Sequence, residues 1–292
     1  MNLPKVGLGL AVLGILAGFV WEEAANGGTS ASRASTAEGQ EEPIRVLVVT
    51  ATHGFRHTEG IEASKAFLNG VNGADFQFDV TEDPADINAQ NLQNYDVLFL
   101  NNATLRIAPA NPDDPQSVAA TRAGRRPVEK PITAEQQQAI SEFVRSGKGL
   151  VCAHSGVDAL YGWDEYREMV GGGLFREHPW TQEVQINVED PSNPAVAHLA
   201  PSFRIHDEIY VLDGNPRETS HVLMSLDMPS TGSADTSADH PISWIRRHGE
   251  GRVFVTVLGH FGEVWQNPGY QQHILQGIRI AAGRLEADFQ PR

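Results

Sequence analysis

The sequence predicts an α/β sandwich built on a central, mainly parallel sheet, and three observations carry that reading. Continuous β-branched runs recur at 44–51, 95–103 and 150–153, as in strands covered on both faces. Amphipathic stretches with helix-start and helix-stop chemistry lie between them. After about residue 180, strands follow one another through turns, which adds an antiparallel-rich extension.

"IRVLVVTA" (44–51) is the first strand, and the apolar spacing Ile61, Phe67, Leu68, Val71 predicts the helix after it. "FQFDVTE" (76–82) alternates like a strand, and "YDVLFLNNA" (95–103) is a buried one. "ITAEQQQAISEFVRSGKG" (132–149) places Thr133 as N-cap and Gln136 three residues on, a capping-box spacing, with Gly147 and Gly149 at its close. "LVCA" (150–153) is the next strand. The extension comprises 181–190, 204–212, 220–227, 240–249 and 251–261. Residues 267–284 form the last helix, with Pro268 at its start and Gly283 at its end. The connection 105–131 is far longer than usual, which suits a lid or a solvated surface insertion. Its Arg106, Arg122, Arg125, Arg126 and Lys130 can meet an anionic group.

The folded domain is expected over 44–284, with a C-terminal tail at 285–292. Ahead of it, Lys5 precedes the uncharged apolar run 6–21, as in a signal peptide for export to the periplasm or the medium. An uncleaved membrane anchor is the alternative, and the only membrane contact expected. Residues 22–43 lack apolar periodicity and read as a disordered linker. A net charge of −15 argues against a nucleic-acid partner and suits a neutral or weakly charged small molecule. One cysteine, Cys152, excludes an internal disulfide and any multi-cysteine zinc site. A monomer and a homo-oligomer both stay open.

Ligands of open α/β sheets bind beyond the carboxyl ends of the strands. Those ends carry His53, Phe55, Arg56 and His57; Asn101, Asn102 and Thr104; His154 and Ser155; and His260 with Glu263. Buried polar groups without partners each cost about 1–3 kcal/mol, so packing alone gives no reason to gather imidazoles at one rim.

Here the chain resembles a known family. "HGFRH", "GKGLVCAHSG", "FREHPW", "DEIY", "HPISWIRRHGEGRVFVTVLGH" and "GIRIAAGR" are similar to motifs of the ThuA-like (trehalose-utilisation) proteins, over about residues 44–284. The resemblance implies a flavodoxin-like sheet of the class I glutamine-amidotransferase-like superfamily. It also implies a role on carbohydrates, disaccharides or the keto-sugars derived from them. Amidotransferases carry Gly-x-Cys at the strand-to-helix elbow, and ThuA-like proteins carry Gly-x-His. Cys152-Ala153-His154 occupies these positions, so His154 takes the elbow and Cys152 stays inside the strand as a small hydrophobe. Glutaminase chemistry is therefore not expected. His260 and Glu263 fall near the amidotransferase His-x-Glu pair, with one extra residue between them.

Three readings follow. In the first, His154 and His260, with Glu263, serve as acid and base on a disaccharide or keto-sugar. Its substrate contacts are His53, Phe55, Arg56, His57, Asn102, Thr104, Ser155, Asp207, Glu208 and Tyr210, and Trp180 stacks on a ring. Asp207 and Glu208 serve equally well as backbone hydrogen-bond partners. In the second reading a divalent metal such as zinc is held by a subset of His53, His57, His154, His178 and His260, although their spacing is no metal signature. The third is a non-catalytic sugar-binding or scaffold module that keeps the fold.

Overall fold

In a computed structural model, the described residues are 42–109 and 128–292. The expected export segment, nearly all of the expected linker, and Arg122, Arg125 and Arg126 lie outside them. No helix among the described residues is long and apolar enough to cross a membrane.

Nine strands form one sheet: β1 (Ile44–Val49), β2 (Phe76–Thr81), β3 (Val97–Asn101), β4 (Gly149–Ala153), β5 (Phe175–Val188), β6 (Ser202–Leu212), β7 (His221–Leu226), β8 (Pro241–His248) and β9 (Gly251–Thr256). Their spatial order is β2-β1-β3-β4-β9-β8-β7-β5-β6. The first five are parallel neighbours in the flavodoxin order, with β9 as the fifth strand. From β9 outward every pairing is antiparallel. The protein is thus a flavodoxin-like α/β fold with an antiparallel extension. Strands β3 and β4 are buried along their whole length, which is why their sequences are apolar without alternation.

Among the described residues the α-helices are α1 (Thr58–Gly70), α2 (Ala89–Leu92), α3 (Ala134–Arg145), α4 (Asp164–Met169), α5 (Gly262–Gln266) and α6 (Pro268–Ala281). The Thr133–Gln136 capping box opens α3, and Pro268 opens α6. Short helices α2, α4 and α5 carry too few periods to leave a sequence signal. Strand β5 begins six residues before the expected 181, because "FREHPW" pairs with the far end of β6 through two register shifts. Residues 285–292 do not hang free: Leu285, Ala287 and Phe289 pack on the core, and Arg247 lies 4.6 Å over the Phe289 ring.

The switch in strand order falls between β1 and β3, so the loops after β1, β3, β4 and β9 open on one rim. The hairpin β5–β6 reaches back over that rim. Asp207, fully buried on β6, accepts the N–H groups of Gly259 (2.7 Å) and His260 (3.1 Å), which lie just beyond β9. The extension thus grips the parallel half beside the chemistry.

Candidate metal centre

Four side chains from four separate elements meet at this rim. His57, His154, Glu208 and His260 each offer a ligand atom, and these atoms all lie within 4.8 Å of one another. His57 is the N-cap residue of α1, yet its side chain makes no capping bond; the ring is turned into the cluster. Helix α1 can stand this close because residue 60 is glycine: a Cβ there would lie 2.6 Å from the carbonyl oxygens of both Gly259 and His260.

His154 leaves β4 with φ of 47°, the left-handed region, as the elbow position requires. Neighbouring Asn102, at φ 51°, has the same conformation and accepts no relief from a glycine. Each such residue costs roughly 1–3 kcal/mol, which the surrounding structure must impose. Gly156 completes the turn, since a Cβ would meet the Leu100 carbonyl oxygen at 2.6 Å and the Cys152 Cβ at 2.9 Å. Cys152 itself is fully buried, and that burial pushes its thiol up to about 12. No thiolate nucleophile is available there.

His154 Nδ1 lies 3.0 Å from the Val257 carbonyl oxygen. That nitrogen donates to the carbonyl, and Nε2 faces the cluster. Nε2 is 3.1 Å from His260 Nδ1 and 3.4 Å from Glu208 Oε2, and His260 Nδ1 is 3.0 Å from the same oxygen. The other oxygen of Glu208 is 3.3 Å from His178 Nδ1. His57 rests its two ring nitrogens 3.3 Å from Ser155 Oγ and 3.3 Å from the Tyr210 hydroxyl. Burial lowers the His57 pKa to about 2, helped by His154 and His260, so the ring is neutral. Burial pushes Glu208 up, but hydrogen bonds from His154 and His260 more than reverse this and hold it well below the usual carboxylate range.

This donor set fits a divalent cation. Tetrahedral zinc with bonds of about 2.0–2.1 Å separates its ligand atoms by about 3.3 Å; the His154–His260–Glu208 triangle has edges of 3.1, 3.0 and 3.4 Å. Coordination needs neutral imidazole and ionised carboxylate, and His57 and Glu208 are held in those states. Three nitrogens and one oxygen suit zinc, manganese, iron, cobalt or nickel.

The ThuA family model, trehalose utilisation, matches residues 45–281. The chain belongs to the ThuA family. A ThuA-like protein of Bacteroides uniformis superposes with a TM-score of 0.64 at 20% identity, covering 84% of this chain and 94% of that one. One from Parabacteroides merdae gives 0.60 at 19%, covering 82% and 90%. These likenesses concern the fold. No curated protein matches the chain.

The other expected residues of this ThuA chain lie around the centre or away from it. Ser155 and Tyr210 contact His57. Asn102 donates from Nδ2 to the Gly259 carbonyl oxygen at 3.1 Å. Thr104 holds the loop after β1, its Oγ1 accepting the Gly54 N–H at 2.8 Å. Asp207 serves backbone amides and touches no space a substrate can enter. His178 meets the outer oxygen of Glu208 and is not among the four ligand residues. His53 is outside the cluster: its Nδ1 accepts the Arg106 N–H at 2.9 Å. Arg56 is committed to Glu82 and Glu62. Trp180 lies against His240, ring centres 5.7 Å apart. Glu263 does not join His260. The extra residue between them lets α5 begin at Gly262, which turns Glu263 outward to His206 at 2.9 Å. Glu208, expected as a substrate contact, is the hub that sequence reasoning did not assign to the metal set. Only the pairing of β6 with the far half of β5 brings it here.

Proposed function

We propose that this ThuA protein is a metal-dependent enzyme that processes a disaccharide or a keto-sugar derived from one, acting after export. The observation that carries this reading is the His57–His154–Glu208–His260 cluster, with its ligand-sized spacing. A divalent cation held there supplies Lewis acidity toward a carbonyl or lowers the pKa of a bound water. His154, Glu208 and His260 would hold the cation, and His57, between Ser155 and Tyr210, would close the set. His178, half exposed at the outer oxygen of Glu208, is placed to exchange a proton with a sugar hydroxyl. The family's link to trehalose utilisation supplies the substrate class.

The test uses protein purified without a histidine tag, followed by elemental analysis. About one equivalent of a transition metal is expected. Trehalose, other disaccharides and their ring-oxidised derivatives are then incubated with and without EDTA, and products are read by mass spectrometry. Turnover that chelation abolishes and metal restores is the expected result. Turnover indifferent to chelation, in protein with less than about a tenth of an equivalent, overturns the metal and leaves the imidazoles as the acid and base. If His154→Ala only weakens sugar affinity and no product forms with any sugar, the protein is a binding module.

A further inference from the structure

An open aromatic side chain stands at the mouth of this same centre. Phe55 is 67% exposed, and the only other exposed large apolar side chain among the described residues is Val80, at 41%. Its ring stands edge-on to His57, centroids 5.0 Å apart, and nearly parallel to the His260 ring at 6.5 Å and 15°. Phe261 lies edge-on to His260 at 4.5 Å on the same rim.

The loop that presents Phe55 is fixed on both sides of it. Thr104 Oγ1 accepts the Gly54 N–H at 2.8 Å and lies 3.4 Å from the Phe55 carbonyl oxygen. The His53 N–H donates to the Thr104 carbonyl oxygen at 3.2 Å, and His53 Nδ1 accepts the Arg106 N–H. Arg56, the adjacent cation, is drawn away to Glu82 at 2.7 Å. This aromatic face is therefore tied down through its backbone, open to solvent and, among the described residues, stacked on no cation, beside the imidazoles of His57 and His260 in the candidate metal set.

We propose that Phe55 is the stacking platform for a pyranose ring of the substrate, an inference that rests on the carbohydrate reading above. A pyranose has one face rich in C–H groups, which an aromatic quadrupole attracts, and a rim of hydroxyls left free to point at the cation. Ring stacking of this kind selects cyclic sugars over open-chain polyols of equal polarity. Preorganisation by Thr104 lets the contact form without ordering a loop.

The experiment uses the full chain loaded with its metal and trehalose as probe, with sorbitol as the ringless control, read by saturation-transfer NMR and by titration. Expected are saturation transfer to trehalose ring C–H protons, none to sorbitol, and a Kd raised about tenfold or more by Phe55→Ala. Metal content and Tm stay at the parent's values, and Phe55→Trp restores both affinity and transfer. Undiminished trehalose affinity in Phe55→Ala overturns the platform and leaves the carbohydrate reading standing. A parent protein that binds neither trehalose nor its ring-oxidised form overturns both.

Discussion

Asp207→Asn tests whether the extension positions the proposed metal centre. Asp207 accepts three N–H groups: Gly259 at 2.7 Å on Oδ2, and His260 at 3.1 Å and Glu208 at 3.0 Å on Oδ1. Asparagine keeps one acceptor and turns an NH2 group on the other side, so at least one buried donor faces another donor. An unpaired buried donor costs about 1–3 kcal/mol. Taking about 2 kcal/mol, and about 2–4 °C per kcal/mol for a chain of this size, Tm falls by about 4–8 °C. The bonds broken set the separation of Glu208 from His260, so metal affinity falls with stability. Loss of a group that orients metal ligands costs about 10–100-fold. Urea unfolding in chelator measures the first effect, and zinc titration against a chromophoric chelator measures the second. A variant with parental zinc affinity would refute the positioning argument even if its stability dropped.

Cys152→Ala should retain the parent's metal content and turnover, and native protein should be silent to thiol reagents that react once urea unfolds it, since burial holds the thiol near 12. Glu208→Gln should lose most bound metal, whereas Glu263→Gln should lose none, because Glu263 bonds His206 at the surface; elemental analysis of both decides. Gly60→Ala should lower stability by about 1–3 kcal/mol by denaturation, since its Cβ would press on two backbone oxygens at 2.6 Å that cannot yield cheaply. His273 is fully buried, and burial first of all lowers its pKa to about 4. Between about pH 6.5 and pH 4 the unfolded chain therefore binds a proton that the folded one refuses. This group lowers stability by about 1.4 kcal/mol per pH unit as pH falls, with no further loss below about pH 4. Urea unfolding of the parent and of His273→Gln across that range should show the smaller slope in the variant.

Much of this was legible in the chain. Strands β1, β3 and β4 announce themselves because burial on both faces demands unbroken apolar residues, and the carboxyl-end rule then points to His57, Asn102, His154 and His260. Cys152 and His154 could be told apart because one stands inside a strand and the other at its exit. The failures share a cause. His53 and Glu263 sit within a few residues of true cluster members, and a local helix start or a backbone hydrogen bond sends each elsewhere. Glu208 reaches the centre through a hairpin whose pairing spans some thirty residues with two register shifts, and periodicity within a strand carries no trace of that.

Asp207 and Glu208 are consecutive on one strand and do opposite jobs, one gripping backbone and the other meeting imidazoles. Sliding β6 by a single position would put Asp207 or Ile209 in the place of Glu208, and His206 or Glu208 in the place of Asp207, so neither direction keeps both contacts. If the proposed cation is bound there, its retention would report on the pairing of this hairpin, and a metal-affinity separation would sort the well-made from the misthreaded.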